Sequence, residues 1–475
     1  MIPLPLSTIA EITGGALHGP PAIAANDPAV HDPAVHDPVV SGPVVIDSRA
    51  AEPGALFAAL KGERVDGHGF ASAALAAGAA AVLAQRPVEG PCVVVPDVQE
   101  ALGRLARGVL DRLPDVAVTA VTGSAGKTST KDLIGQLAGR AGPAVFPPGS
   151  FNNEIGLPLT VLRADAGTRH LVLEMGARGI GHIAYLTGIA PPDVGVVLNV
   201  GTAHVGEFGS RENIALAKGE IVEAVRPGGT AVLNADDPLV AAMASRTAAE
   251  VVTFGRSPDA TVRAADETLD ERGRPRFTLV TPEGSAPVAL LLHGAHAVPN
   301  ALAAAAAARA AGLAPAEIAE GLSQAAPVSR WRMEVAERAD GVTVVNDAYN
   351  ANPDSTRAAL DVLAHMARGR RAFAVLGEMA ELGDSSAAEH AKIGEHAARS
   401  GVAGLVVVGA NAAAMAGGAG QVGSWTGECV QVEDVGAAVA ALSERLAPHD
   451  VVLVKGSRVA GLERVAEAIL AEDAR

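Results

Sequence analysis

Lys127 and Thr128, near the end of Val118-Thr-Ala-Val-Thr-Gly-Ser-Ala-Gly-Lys-Thr-Ser-Thr130, are the residues whose types and spacing most directly specify chemistry. A short apolar run stops at Gly123, a tight loop follows, and Lys127-Thr128 opens a helix. A loop of this kind wraps a polyphosphate. Glycines let the backbone approach it, and free N–H groups at the helix start point at anionic oxygens. Thr122, Gly123, Ser124, Ala125, Gly126, Lys127, Thr128 and Ser129 would then hold a nucleoside triphosphate, with the Lys127 ammonium on the β/γ-phosphates and the Thr128 hydroxyl on Mg²⁺. The spacing is the short form T-G-x-x-G-K-[ST]; Val121 stands where the longer form has its first glycine.

Glu174 ends the apolar run Leu171-Val-Leu-Glu174. An acid at the carboxyl end of a strand beside a phosphate loop is placed to bind Mg²⁺; alone, it would read as a solvated strand end. His204, in Asn199-Val-Gly-Thr-Ala-His204, follows the next strand and falls at the same sheet edge, where a metal ligand and a structural histidine are both open readings. Only six of the 37 basic residues are lysines: Lys61, Lys127, Lys131, Lys218, Lys392 and Lys455. A chain so biased to Arg keeps Lys where a compact or deprotonatable amine is needed. Lys218, in Ala217-Lys-Gly-Glu220, is the next such position after Lys127, while for Lys131 and Lys392 chance retention is an open reading.

The elements that must position these residues follow from length and composition. A chain of 475 residues implies about three domains. With 49% apolar but 3% aromatic residues, its cores are built from Ala, Val and Leu, as in α/β layers. A net charge of −16 argues against a nucleic-acid surface. Two distant cysteines, Cys92 and Cys429, give neither a disulfide framework nor a zinc signature. The start, Met1-Ile-Pro-Leu-Pro-Leu6, lacks the features of a signal peptide, and the Ala-rich helix expected over 300–312 carries Arg309 and is no membrane span. A cytoplasmic protein with no membrane and no nucleic-acid partner is expected.

Residues 24–40 hold a tandem pentapeptide with Asp27, Asp32, Asp37, His31 and His36. Its regular prolines forbid helix or sheet, so it reads as an expanded surface loop rather than a metal site. Strands and Ala-rich helices alternate from Val44 to about residue 113, around a strand that buries Cys92. The central part runs strand, phosphate loop, helix, then strands near 171–173, 194–198, 230–233 and 251–254, which read as a parallel sheet buried on both faces. The helix from Asn300 and another near 315–324 close it. A third unit has strands near 342–345, 372–376, 405–408 and 451–454, a doubly wound pattern without a dinucleotide fingerprint. The expected domains are 1–113, 114–326 and 327–475.

Taken in order, Thr122-Gly-Ser-Ala-Gly-Lys-Thr128, Glu174, His204 and Lys218 resemble the Mur ligases, ATP-dependent amide-forming enzymes of peptidoglycan synthesis. Further segments are similar to the branch that adds D-alanyl-D-alanine to UDP-N-acetylmuramoyl-tripeptide. These are Ser150-Phe-Asn-Asn-Glu-Ile-Gly-Leu-Pro158, Glu174-Met-Gly-Ala177, Ala203-His-Val-Gly-Glu-Phe-Gly-Ser210, Asn346-Asp-Ala-Tyr-Asn-Ala-Asn-Pro353 and Leu376-Gly-Glu-Met-Ala-Glu-Leu-Gly383. Asp47-Ser-Arg49 and Lys61-Gly-Glu-Arg-Val-Asp-Gly-His68 resemble that branch's UDP-sugar unit.

The resemblance implies three α/β domains: a small UDP-sugar-binding unit, a central P-loop ATPase with a parallel sheet, and a Rossmann-like unit. It implies ATP and Mg²⁺, UDP-MurNAc-tripeptide and D-alanyl-D-alanine as substrates, an acyl phosphate, a pentapeptide product and a monomer. Thr128 and Glu174 would share one Mg²⁺; His204 and Lys218, the latter as a carbamate, a second. Asn300, Arg332 and Asp347 would contact the nucleotide, with Arg330 a rival to Arg332 for the phosphates. Ser48, Arg49, Lys61, Asn152, Asn153, Glu154, Tyr349 and Asn350 would contact the other substrates. Lys455-Gly-Ser-Arg458 would face the closed site. Ala297 departs from the family, which has Asn or Gln after the preceding histidine. The alternatives are a tripeptide-forming ligase of the same family, whose Asp-Asn-Pro-Arg motif is absent, and a non-catalytic nucleotide-binding regulator, which would be expected to lose one of the four central residues.

Overall fold

The computed structural model describes residues 1–19, 37–62, 65–201 and 205–471. His204 and most of the pentapeptide repeat lie outside them. The end of the repeat corrects the loop expectation, since Val39–Val40 is a short strand antiparallel to Leu4–Pro5. These valines follow the last proline of the repeat, so both N–H groups are available for pairing.

In the N-terminal part, a five-stranded sheet runs in the order Ala16–His18, Cys92–Val94, Ala81–Ala84, Leu56–Ala58, Val44–Val45. Only the first pair is antiparallel. Cys92 is buried in it, as expected. Asp97 caps the helix Val98–Leu110 by accepting from Glu100 N at 2.9 Å. The apolar face of that helix, Leu102, Leu105 and Val109, shares one continuous core with Leu157, Val161 and Leu186 of the central part. This apolar interface fixes the first sheet against the second.

The central sheet has nine strands in the order Gly284–Ala289, Pro275–Thr281, Val262–Leu269, Glu250–Gly255, Thr230–Asn234, Val194–Val197, Ala117–Thr122, His170–Glu174, Ala144–Val145. From Ala144 to Leu269 all pairs are parallel. The expected all-parallel sheet is corrected at its far edge, where the last two strands form an antiparallel meander. Pro275–Thr281 alternates buried and more exposed residues and Gly284–Ala289 is largely exposed, as suits a sheet solvated on one face, unlike the mostly buried inner strands. The Ala-rich helix begins three residues earlier than expected, as Ala297–Ala310, with Pro299 in its first turn where no N–H is required. Its buried alanines let it lie close to the sheet and to the helix Lys127–Ala141.

In the C-terminal part, a six-stranded sheet has the order Glu334–Glu337, Thr343–Asn346, Val451–Lys455, Ala372–Leu376, Gly404–Val408, Glu428–Val432. It is parallel apart from its first, antiparallel edge pair. No helix among the described residues is long and apolar enough to cross a membrane.

Candidate active site

The strand Ala117–Thr122 lies between His170–Glu174 and Val194–Val197 with all three parallel, so their carboxyl ends open side by side. The phosphate loop, Glu174 and Asn199 therefore meet at one edge, where open α/β sheets bind ligands. Gly126 caps the following helix at φ +82°, and a Cβ there would stand 2.4 Å from Asn300 Oδ1. Only glycine fits both the left-handed backbone and this approach. Asn199 holds the loop from the other side, accepting from Ala125 N at 2.9 Å and donating to Ala125 O at 3.1 Å.

Thr128 donates to Glu174 Oε2 at 2.9 Å. The other oxygen of Glu174 accepts from Ser150 Oγ at 2.8 Å and Asn152 Nδ2 at 2.7 Å. Glu174 is 1% exposed, which makes the strand-end acid part of the site rather than a solvated terminus. Lys127 donates to Gly123 O at 2.8 Å. Burial lowers the Lys127 amine pKa, with Glu174 opposing the shift and Arg332 adding to it. Lys218 projects into the same cleft from the helix Arg211–Glu223, whose N-cap Ser210 accepts from Asn213 N at 3.2 Å. Burial pushes its amine well below the ordinary lysine range, and the charge of Lys127 adds to the effect.

The C-terminal part completes the cleft. Arg332 stacks on Tyr349 with its guanidinium carbon 4.1 Å from the ring centre, and donates to Thr128 Oγ1 at 3.1 Å. Arg330 points elsewhere, pairing with Glu467 at 3.6 Å on a largely exposed side chain. Trp331 and Met333, on either side of Arg332, have φ of +59° and +51°. Two non-glycine residues in this region are strained, and the strain aims Arg332 inward. Asp347 holds the turn by accepting from Met333 N at 3.1 Å. Its other oxygen takes Lys455 Nζ at 2.5 Å. The resulting cleft is about 870 Å³ and is lined by residues of the central and C-terminal parts.

Of the residues expected from the sequence, Ser124 to Ser129, Asn152, Asn153, Glu154, Glu174, Lys218, Asn300, Arg332, Asp347, Tyr349 and Asn350 line this cleft, as do Lys455, Ser457 and Arg458. Thr122 is wholly buried at the end of its strand and, with Gly123, is absent from the cleft wall. Ser48, Arg49 and Lys61 are not in it either. They follow the adjacent parallel strands Val44–Val45 and Leu56–Ala58, at the carboxyl edge of the N-terminal sheet. Sequence reasoning missed Asn199, His293 and His296 among the lining residues. Asn199 had a usable signal, since it ends an apolar strand as Glu174 does.

The donor set suits the ligands implied by the sequence. Thr128 and Glu174 present hard oxygen atoms to one point, as Mg²⁺ requires. Arg332 Nε is a buried donor with no acceptor, facing a cleft that would otherwise receive anionic oxygens. No group of three or more His, Cys, Asp or Glu able to hold a metal occurs among the described residues. The sequence pairs Lys218 with His204, which is outside them.

Comparison with known proteins decides the family. Residues 43–110 match the Mur ligase family catalytic domain, 121–308 the Mur ligase middle domain, and 331–458 the Mur ligase glutamate ligase domain. The UDP-N-acetylmuramoyl-tripeptide--D-alanyl-D-alanine ligase of Mycobacterium bovis is 49% identical over all of this chain and 99% of its own length. The chain belongs to the Mur ligase family. The Escherichia coli ligase of the same name is 37% identical, covering 89% of this Mur ligase and 92% of its own chain. In structure, MurF from Acinetobacter baumannii superposes with a TM-score of 0.85 at 33% identity, covering 99% of both chains. MurF ligase from Thermotoga maritima, solved in complex with ADP, gives 0.78 at 31% identity over 92% of this Mur ligase and 98% of that chain. The three-part α/β architecture of this Mur ligase is the one expected from its sequence.

Proposed function

We propose that this chain joins D-alanyl-D-alanine to UDP-N-acetylmuramoyl-tripeptide, consuming ATP and forming the UDP-MurNAc-pentapeptide precursor of peptidoglycan. The observation that carries the reading is the convergence of Lys127, Thr128, Glu174, Lys218 and Arg332 on one cleft, in a chain alike end to end to ligases of that name. A non-catalytic regulator would have no use for a buried amine and a buried carboxylate held beside a phosphate loop. The domains are assigned as 1–113, 114–326 and 327–475.

ATP is a substrate here and is spent. The terminal carboxylate of the tripeptide attacks the γ-phosphorus, and ADP leaves with the electron pair of the broken P–O bond. The acyl phosphate so formed is attacked by the dipeptide amine, which has a pKa of roughly 8 and is partly neutral. Inorganic phosphate then leaves and the amine nitrogen loses its proton. Lys127, the loop N–H groups and Arg332 would balance the charge on the phosphoryl oxygens, and positioning supplies much of the rest. Mg²⁺ held by Thr128 and Glu174 would neutralise phosphate charge, as would a second ion held by His204 and carbamylated Lys218. Carbamate formation needs a neutral amine, which burial favours at Lys218 and which an arginine could not supply.

Asn300 and Asp347 would hold the nucleoside, while Asn152, Asn153, Glu154, Tyr349 and Asn350 face the reacting ends of the substrates. Ser48, Arg49 and Lys61 would bind the UDP-sugar at the N-terminal sheet. A monomer working in the cytoplasm is consistent with these roles. The test is ATP-dependent phosphate release with UDP-MurNAc-tripeptide and, in parallel, D-alanyl-D-alanine, single amino acids or no acceptor. Release only with the dipeptide is expected. Release with a single amino acid would favour the tripeptide-forming ligases instead.

A further inference from the structure

We propose that the buried pair Lys131–Asp132 is a positioning device for the phosphate and metal site, an inference that rests on the nucleotide reading above. Lys131 lies one turn beyond Lys127 on the helix Lys127–Ala141 and is fully buried. Its ammonium donates to the carbonyls of Pro147 and Gly149, the latter at 3.2 Å, and stands 2.6 Å from Asp132 Oδ1. A charge taken this far from water is tolerated only when paired and hydrogen-bonded. Here the counter-ion is the next residue, so the helix carries its own anion and aims the cation at a neighbouring loop.

That loop leads directly into Ser150 and Asn152, the two residues that donate to Glu174. Asp132 reaches the opposite way. Its Oδ2 accepts from Ser329 N at 3.1 Å, and one turn on Gln136 exchanges hydrogen bonds of 3.0 and 3.1 Å with Ala326. Three residues after Ser329, Arg332 donates to Thr128. Two arms thus leave the phosphate-loop helix at adjacent residues and return to it at Thr128. One passes through Gly149, Ser150 and Glu174, the other through Ser329 and Arg332. An apolar side chain could fill the space of Lys131, but it would leave the Pro147 and Gly149 carbonyls without a donor and the loop without its anchor. The pair therefore sets the separation of Glu174 and Arg332 across Thr128, where the metal and phosphates meet.

The experiment compares the full-length protein with K131M and with K131M/D132N. The double variant removes both charges yet keeps an acceptor for Ser329 N, so it leaves no uncompensated buried ion. Binding of a non-hydrolysable ATP analogue is measured by calorimetry, with and without Mg²⁺, at a temperature where all chains are folded. The dissociation constant should rise at least about tenfold with Mg²⁺ in both variants and by a clearly smaller factor without it, because Glu174 acts only through the metal whereas Arg332 meets the phosphates in both conditions. A merely structural pair would change both conditions equally or neither, and either result would overturn the proposal. So would failure of both variants to fold, which would make the pair a condition of the fold. If the unaltered protein fails to bind the analogue, the nucleotide reading itself is wrong.

Discussion

Thr128 donates its hydroxyl hydrogen to Glu174 at 2.9 Å, joining the first turn of the phosphate-loop helix to the carboxyl end of the neighbouring strand. Two oxygens from segments 46 residues apart are thereby held in register before any ligand arrives. Thr128→Ala should lower kcat/KM by about 10²-fold, the scale of losing one organised charge-stabilising contact. The Mg²⁺ concentration for half-maximal rate should rise with it. A variant with unchanged Mg²⁺ dependence would remove Thr128 from the metal site.

Arg332 and Arg330 are two positions apart yet face opposite ways. Arg332→Ala should cost about 10²-fold or more in kcat, on the same scale. Arg330→Ala should stay within about twofold, because its ion pair is exposed and surface pairs contribute little. Steady-state kinetics on the two variants separates them, and equal losses would contradict the placement.

Lys218 is a buried amine whose pKa burial has lowered. The unfolded chain binds a proton there that the folded chain resists. Its unfavourable contribution is therefore largest at low pH and fades as pH rises from the lowered value toward the ordinary 10.5. Lys218→Met should abolish ligation and, in CO₂-free buffer near pH 7, raise the melting temperature. Each kcal/mol gained is worth roughly 2–4 °C where the central part unfolds as its own unit of about 200 residues. Loss of activity with a lowered melting temperature would mean the lysine is chiefly a packing residue.

His293 lines the cleft with an unpartnered Nδ1, and burial together with Arg274 holds its pKa at about 4. Asp270 opposes that shift, while Arg272 and His296 add to it. The imidazole is neutral when folded, so the associated stability is complete above the unfolded value of 6.5 and declines as pH falls toward 4. His293→Gln should flatten thermal stability between pH 6.5 and 4, removing a loss of about 2 kcal/mol once solvent screening is discounted. Melting curves across that window check it; an unchanged slope would assign the acid sensitivity elsewhere.

The parts of the site that were legible in sequence are those whose chemistry is local. Gly126-Lys127-Thr128 announces itself because loop, helix start and phosphate ligands are contiguous. Glu174 and Lys218 could be singled out by a strand end and by the scarcity of lysine. That scarcity did not single out Lys131, for which chance retention was an open reading, because its acceptors at 147 and 149 come from a loop no periodicity connects to it. Asp132 meets a backbone N–H 197 residues away, beyond any local signal. Lys392, by contrast, forms an exposed pair with Glu389, and chance retention remains its best description. The inner strands were readable because they are Val- and Leu-rich and mostly buried, whereas the antiparallel meander from 275 to 289 is largely exposed at its outer strand and carries Arg276, Glu283 and Pro287.

The most direct single measurement uses UDP-MurNAc-tripeptide labelled with ¹⁸O in its terminal carboxylate, together with ATP and D-alanyl-D-alanine. Attack of the carboxylate on the γ-phosphorus moves one carboxylate oxygen to the phosphate that is later released. The expected result is one labelled oxygen in each released phosphate, with a pentapeptide formed in equal amount by mass spectrometry. Unlabelled phosphate, or phosphate released without pentapeptide, would contradict ligation through an acyl phosphate in this cleft.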